Sequence, residues 1–271
     1  MNHLRFLINS SLILVGIVTN VFSSKNANAE VITANSGKIK AEISYQQQEY
    51  KYQDVTLKIS RSNQVILNEK ITDNEYDRPM ASFNSSNTKQ YFKIQDVDGD
   101  KEPEIIVELY TGGAHCCIYS LIYRYNAAQN KYSKINHQWG NHYYKLQDLD
   151  RNGLQEFVTI DDRFAYAFAS YAGSAYPIQI WQYRQGKMIN VTKKYRQEIA
   201  KNAQELWQRY QKEKTEFGAG KAPLAAYLAA KYLLGEGQDG WQKVRQAYQS
   251  SDRTEFFTNL QDFLQKTGYT R

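Results

Sequence analysis

Short apolar runs bounded by Asn, Gly and Asp fill the chain from about Lys38 to Val191. Val55-Thr56-Leu57-Lys58-Ile59, Glu104-Ile105-Ile106-Val107 and Tyr119 to Tyr125 are examples. Each is of strand length and rich in β-branched or aromatic residues, so this region is predicted to be strands and turns. From about Lys193 the period changes. Ile199, Ala203, Leu206 and Tyr210 recur at spacings of four, three and four, which makes one apolar stripe on a helix. A second helix is predicted to begin at Pro223, suited to a first turn, and to stop at Gly235. A third is expected from Trp241 to about Ser250. Asp252 is placed to cap a fourth, whose face is Phe256, Leu260, Phe263 and Leu264, with Gly268 closing it. The pattern is mainly β with a C-terminal α region of three to four helices, their stripes most simply core.

Within the β region the sequence repeats. Tyr91-Phe92-Lys93-Ile94-Gln95-Asp96-Val97-Asp98 matches Tyr143-Tyr144-Lys145-Leu146-Gln147-Asp148-Leu149-Asp150, 52 residues on, with five of eight positions identical. The match runs on to Glu104 and Glu156 and into the strands behind them. Ile122-Tyr123-Arg124-Tyr125 resembles Ile180-Trp181-Gln182-Tyr183 at an offset of 58, and Ile135-Asn136 echoes Ile189-Asn190. Each unit reads as strand, acidic loop, strand, longer turn, strand, turn, strand, the layout of a four-stranded propeller blade. Residues 40–83 hold another hairpin and read as a degenerate first copy. The expectation is a partial or open β-propeller-like array of two to three units, capped by the helical tail.

The first residues follow neither pattern. An apolar run from Phe6 to Phe22, broken at Asn9, Ser10 and Ser11, follows Arg5 and leads to Ala27-Asn28-Ala29. A small-x-small triplet after an apolar segment marks a signal peptidase site, so residues 1–29 are expected to be a signal peptide and Glu30 the mature start. The alternative is a retained anchor, for which the run is marginal. No later segment is apolar enough to span a bilayer, so no stable membrane insertion is expected after cleavage, and the protein is expected to be secreted or periplasmic. Loss of Arg5 and Lys25 with the leader takes the formal charge from +6 to +4. The bases are dispersed, which argues against a nucleic-acid surface. The expected organisation is 1–29 leader, 30–192 β-repeat domain and 193–271 helical region.

The acidic loops carry the chemistry. Counted from Asp96, oxygen-bearing side chains fall at positions 1, 3, 5 and 9: Asp96, Asp98, Asp100 and Glu104. The second loop places Asp148, Asp150, Asn152 and Glu156 at the same positions. Calcium takes six to eight oxygen ligands, and alternate positions of a tight loop point their side chains at one place. The carbonyls of Glu102 and Leu154, at position 7, are expected to add a ligand each, while Val97 and Leu149 tuck the loops onto the core. Magnesium, with its stricter octahedral geometry, suits such loops less well. Asx-rich loops are also good turns in their own right, but two at matching places of a repeat favour calcium. Four carboxylates against three predict tighter binding by the first loop. Affinities are expected in the weak extracellular range, about 10⁻⁴–10⁻³ M.

These loops resemble the calcium-loop repeats of the integrin α-subunit propeller, the FG-GAP or VCBS class of exported bacterial proteins. The resemblance covers roughly Tyr91 to Val191. It implies that positions 1, 3, 5 and 9 ligate calcium and that the protein is a scaffold that binds or adheres, with no reaction. The chain departs from the pattern in having Glu at position 9, Lys101 at position 6 of the first loop, and no Phe-Gly or Gly-Ala-Pro signature.

Both cysteines of the chain lie in Thr111-Gly112-Gly113-Ala114-His115-Cys116-Cys117. The readings are a vicinal disulfide between Cys116 and Cys117, two free thiols, or bonds to other chains. Gly112-Gly113 reads as a turn or bulge. His115, His137 and His142 are imidazoles without ligand spacing. The favoured function is a calcium-stabilised module binding a protein or glycan through aromatic loops such as Phe164 to Phe168 and Tyr171 to Tyr176, for which a strand with one buried aromatic face is the simpler reading. An envelope-polymer hydrolase using Asp161 and Asp162 beside Arg163 is one alternative, though no catalytic motif supports it. A structural subunit pairing through an open β edge is the other.

Overall fold

The computed structural model describes residues 28–82, 88–214 and 220–270. Most of the expected leader therefore lies outside the described residues; only its last two, Asn28 and Ala29, are described, in the first strand. The elements in chain order begin with strands β1 (Asn28–Ser36), β2 (Ile39–Gln48), β3 (Lys51–Arg61), β4 (Gln64–Lys70) and the two-residue β5 (Arg78–Pro79). A short helix α1 (Thr88–Tyr91) leads into β6 (Phe92–Gln95), β7 (Glu104–Gly113), β8 (Cys116–Asn126) and β9 (Lys131–Gly140). Then come β10 (Lys145–Gln147), β11 (Glu156–Ile160), β12 (Ile178–Arg184) and β13 (Lys187–Asn190), followed by helices α2 (Arg196–Glu213), α3 (Lys221–Leu233), α4 (Gly237–Ala247) and α5 (Arg253–Lys266).

The strands form three antiparallel sheets of sequential neighbours: β1-β2-β3-β4, then β7-β8-β9 with β5 and β6 end to end along the free side of β7, then β10-β11-β12-β13. The last two share their registers. Gln95 faces Glu104 and, 52 residues on, Gln147 faces Glu156. Ile106 faces Ile122 as Val158 faces Ile180. The echo of Ile135 in Ile189 does not survive. Ile135 faces Ile122, whereas Ile189 faces Gln182, and the backbone opposite Ile180 belongs to Val191. The β12–β13 turn is shorter than the β8–β9 turn, which slides the sequence match by two residues.

Alternation along β7 explains how the sheets stack. Ile105, Val107 and Leu109 bury against the first sheet, with Ile43, Leu57 and Ile59. Ile106, on the other face, joins Trp139, Tyr144, Phe157 and Tyr183 against the third sheet. A strand covered on both faces reads as a continuous apolar run, as Ile105-Ile106-Val107 does. The outer face of the third sheet, through Ile178 and Ile180, packs with Phe164, Val191 and the four C-terminal helices in one core. The expected boundary at 192/193 thus falls inside a shared core.

The helices follow the sequence closely. Ile199, Ala203, Leu206 and Tyr210 are the buried residues of α2. Pro223 lies in the first turn of α3, and Gly235 ends it at φ +78°. Helix α4 differs: it begins at Gly237, four residues before Trp241. Glycine reads as a helix breaker, but a Cβ on Gly237 would lie 2.5 Å from Tyr232 and one on Gly240 2.8 Å from Lys231. Close helix packing, not a break, requires both. Asp252 precedes α5 but makes no capping hydrogen bond. Its carboxylate instead accepts from Tyr248 Oη at 2.9 Å and pairs with Lys221 at 2.5 Å.

Between the second and third sheets lies a buried polar group. Glu108, 1% exposed, accepts from Ser120 Oγ at 2.6 Å and Tyr144 Oη at 2.5 Å, while Trp139 Nε1 donates to Ser120 Oγ. Burial pushes the Glu108 carboxyl up to about 7, against the pull of those two hydroxyls. A raised carboxyl favours folding in its neutral form. Its contribution is complete below the ordinary value of 4.5 and is lost as pH rises through about 7. Denaturant titrations across that window should show the native chain losing stability relative to Glu108→Gln as pH rises. A constant difference between the two would contradict the assignment.

Candidate metal centre

Each acidic loop joins the first strand of its sheet to the second, between β6 and β7 and between β10 and β11. Both have left-handed backbone at positions 4 and 6: Gly99 (φ +83°) and Lys101 (φ +70°) in the first, Arg151 (φ +58°) and Gly153 (φ +88°) in the second. A non-glycine residue in this region costs about 1–2 kcal/mol, and each loop accepts one such residue, at opposite positions. Lys101 thus takes the conformation that position 6 requires without glycine.

Aspartate at position 1 organises the turn. Asp96 accepts from the N–H of Gly99 at 2.7 Å and of Lys101 at 2.9 Å. Asp148 accepts from Asn152 at 3.0 Å and Gly153 at 2.9 Å. The glutamate at position 9 then reaches back across the loop. Glu104 Oε2 accepts from Val97 N at 3.1 Å, and Glu156 Oε2 from Leu149 N at 3.0 Å. Both glutamates are 0% exposed. Val97 is buried between the second and third sheets, and Leu149 packs toward the helices.

Carboxylates of Asp96, Asp98 and Glu104 bring oxygens within 4.8 Å of one another, as do those of Asp148, Asp150 and Glu156. These two are the metal-sized groups of His, Cys, Asp or Glu among the described residues. The side chains of the other residues in the expected ligand sets have partners of their own. Asp100 caps Glu102 N at 2.8 Å and pairs with Arg124 at 2.5 Å, and Asn152 accepts from Leu154 N at 2.8 Å. The side chain of Glu102 is taken by Arg61 of β3, at 2.6 and 2.9 Å. Leu154 lies against Gly99, where a Cβ would approach it to 2.5 Å, so the two loops touch.

The remaining oxygen of each glutamate separates the loops. Glu156 Oε1 accepts from Gln182 Nε2 at 2.6 Å. Glu104 Oε1 is buried with no hydrogen-bond partner among the described residues. An orphaned carboxylate oxygen is costly. Burial, and then the charges of Asp98, Asp100 and Asp96, push the Glu104 carboxyl up to about 8, despite the Val97 hydrogen bond. Hard, anionic oxygens around an unsatisfied acceptor fit a hard divalent cation, which would favour the charged carboxylate.

Residues 199–268, which span most of α2 through α5, match the family described as the sll0997 C-terminal domain. A Synechocystis sp. protein described as the probable thylakoid lumen protein sll0997 is 30% identical over 219 residues, 78% of this chain and 61% of the relative. A Sinorhizobium fredii protein, the uncharacterized protein y4bJ, is 29% identical over 170 residues, 55% of this chain and 24% of the relative. The chain thus spans less than two thirds of either relative. No solved structure matches.

Other singled-out residues lie apart from the loops. His115 rests on Tyr171 at 4.7 Å, and His142 on Tyr176 at 4.5 Å with Tyr171 at 6.5 Å, whereas His137 lies on Trp139 at 4.3 Å. Burial pushes His137 down to about 4. Cys116 and Cys117 are bonded to each other, next to His115 in the β7–β8 turn. The aromatic loops divide between inside and outside. Phe164 and Phe168 pack against Phe263 of α5, while Tyr166 is 52% exposed and lies against Tyr171 in a tilted pair.

Asp161 and Asp162 face different partners. Asp161, 2% exposed, is held by Arg163 Nε at 2.8 Å and by Tyr269 Oη at 2.8 Å. Arg163 also donates to Thr267 O at 2.8 Å, tying the third sheet to the end of α5. Asp162 accepts from Asn141 at 2.9 Å and contacts His142 at 3.3 Å. Burial raises its carboxyl, but His142 and Asn141 outweigh it and hold it below the usual range. Both aspartates are structural fasteners. Arg163→Ala should therefore destabilise the chain by about 1–3 kcal/mol, because buried Asp161 loses its charged partner, read as a lower denaturant midpoint. An unchanged midpoint would contradict this role.

Proposed function

We propose that this protein is an exported, calcium-binding β-repeat scaffold of the FG-GAP/VCBS kind that presents a binding surface in an extracytoplasmic compartment. The observation that carries the calcium reading is Glu104 Oε1, buried without a partner beside Asp96 and Asp98. Its companion at Asp148, Asp150 and Glu156 gives a second ion. Calcium at each loop would offset carboxylate repulsion and brace the turn between two strands. The three stacked meanders then act as blades of an open propeller-like array, with the helices covering the last. Shared registers around the two loops support that reading.

Location outside the cytoplasm rests on the leader-like residues 1–29 and on the relative described as a thylakoid lumen protein. Among the described residues no helix is long and apolar enough to cross a membrane. The contact surface is the ring cluster of His115, Tyr166 and Tyr171, whose flat faces suit a glycan or a protein side chain. A second reading, strand addition by a protein partner, is favoured by β1, which has β2 as its one hydrogen-bonded neighbour among the described residues and exposes Val31 by 60%.

Thermal melting in chelator against millimolar calcium tests the metal reading. Calcium should raise the midpoint, Asp96→Ala and Asp148→Ala should each remove part of the shift, and the double variant all of it. Identical midpoints in chelator and calcium would overturn it.

A further inference from the structure

The two loops differ in what leans on them from the third strand of their sheets. Arg124 on β8 and Gln182 on β12 occupy matching places, since Tyr123 faces Ile105 as Trp181 faces Phe157. Gln182 is neutral and donates to Glu156 Oε1. The Arg124 guanidinium stands over the first loop, with Nε 3.3 Å from Asp98 Oδ2 and Nη2 2.5 Å from Asp100 Oδ2. Its Nε is also 3.9 Å from Glu104 Oε1, too far to hydrogen-bond the orphaned oxygen. The cation therefore sits at the mouth of the metal-sized cluster, shares Asp98 with it and pairs with the adjacent Asp100, without satisfying the innermost acid.

Other donors and bases gather at the same mouth. It opens into a depression of about 540 Å³, lined by Asp98, Asp100, Arg124, Arg184, Gln185 and Lys187. Gln185 N donates to Asp98 Oδ2 at 3.2 Å. Contacts on the second loop come from neutral groups, Gln182 and, at 3.5 Å, Tyr195 Oη on Asp150.

We propose that Arg124 is an internal counter-ion that competes with calcium for the first loop, making the second loop the tighter site and the first the one that fills and empties. The inference rests on the calcium reading above. Carboxylate count alone favours the first loop, but a guanidinium already paired with Asp98 and Asp100 must be displaced or tolerated next to a divalent ion, and that repulsion weakens binding. Metal-free, the first loop keeps its shape because Arg124 neutralises part of its charge. Among the described residues the second loop has no such substitute.

Calcium titration of the purified protein by calorimetry tests this. Two binding phases are expected, the tighter lost in Asp148→Ala and the weaker in Asp96→Ala. Arg124→Gln should tighten the weaker phase by about tenfold or more and leave the other unchanged. Gln182→Arg, the reciprocal change, should weaken the tighter phase by a similar factor. Two phases with an unaltered or weakened first site in Arg124→Gln would overturn the inference and leave the calcium reading intact, with Arg124 then orienting Asp98 rather than competing. Absence of any calcium binding would overturn both.

Discussion

Two buried glutamates hold the acidic loops of this molecule in place. Glu104 and Glu156 each open a central strand, and each turns its carboxylate back to the amide seven residues earlier. Aspartate at this position would be one methylene shorter. The extra reach ties the start of the acidic loop to its end and fixes where the other acids converge. It also takes an ionisable group fully out of water, which demands compensation. Glu156 finds part of it in Gln182, and Glu104 does not. That imbalance sets the two loops apart in charge, in neighbours and in their expected hold on a cation.

The layering turns the loops into junctions. The second sheet is covered on both faces, by the first sheet and by the third. The first loop lies where these layers meet: Arg61 of β3 grips Glu102, Gln185 beside the third sheet reaches Asp98, and Leu154 of the second loop rests on Gly99. A cation held there would brace contacts between sheets as well as a turn within one. The helices, by contrast, are fastened at the far side of the third sheet by Asp161, Arg163 and Tyr269.

Much of this was legible in the chain because it depends on local pattern. The stripe through Ile199, Ala203, Leu206 and Tyr210 names the buried face of α2, and the run at Ile105-Ile106-Val107 marks a strand covered on both sides. The start of α4 was hidden because Gly237 and Gly240 serve close packing, which only the neighbouring helix reveals. Among the expected ligands, Asp96, Asp98 and Glu104 come together as their spacing suggests, whereas Asp100 turns to Arg124, a residue 24 positions away. The sequence match that aligns Arg124 with Gln182 contained the signal; its meaning needed the register that places both beside the loops. Arg61 and Gln185 left no such trace, since neither lies in the repeated segment that holds the loop it touches.

The most direct measurement is the calcium bound per chain at equilibrium with several millimolar free calcium, by equilibrium dialysis with elemental analysis. Two calcium ions per chain are expected, with one retained when Glu104 or Glu156 is replaced by Ala. A chain that carries no calcium under these conditions would contradict the role given to both loops.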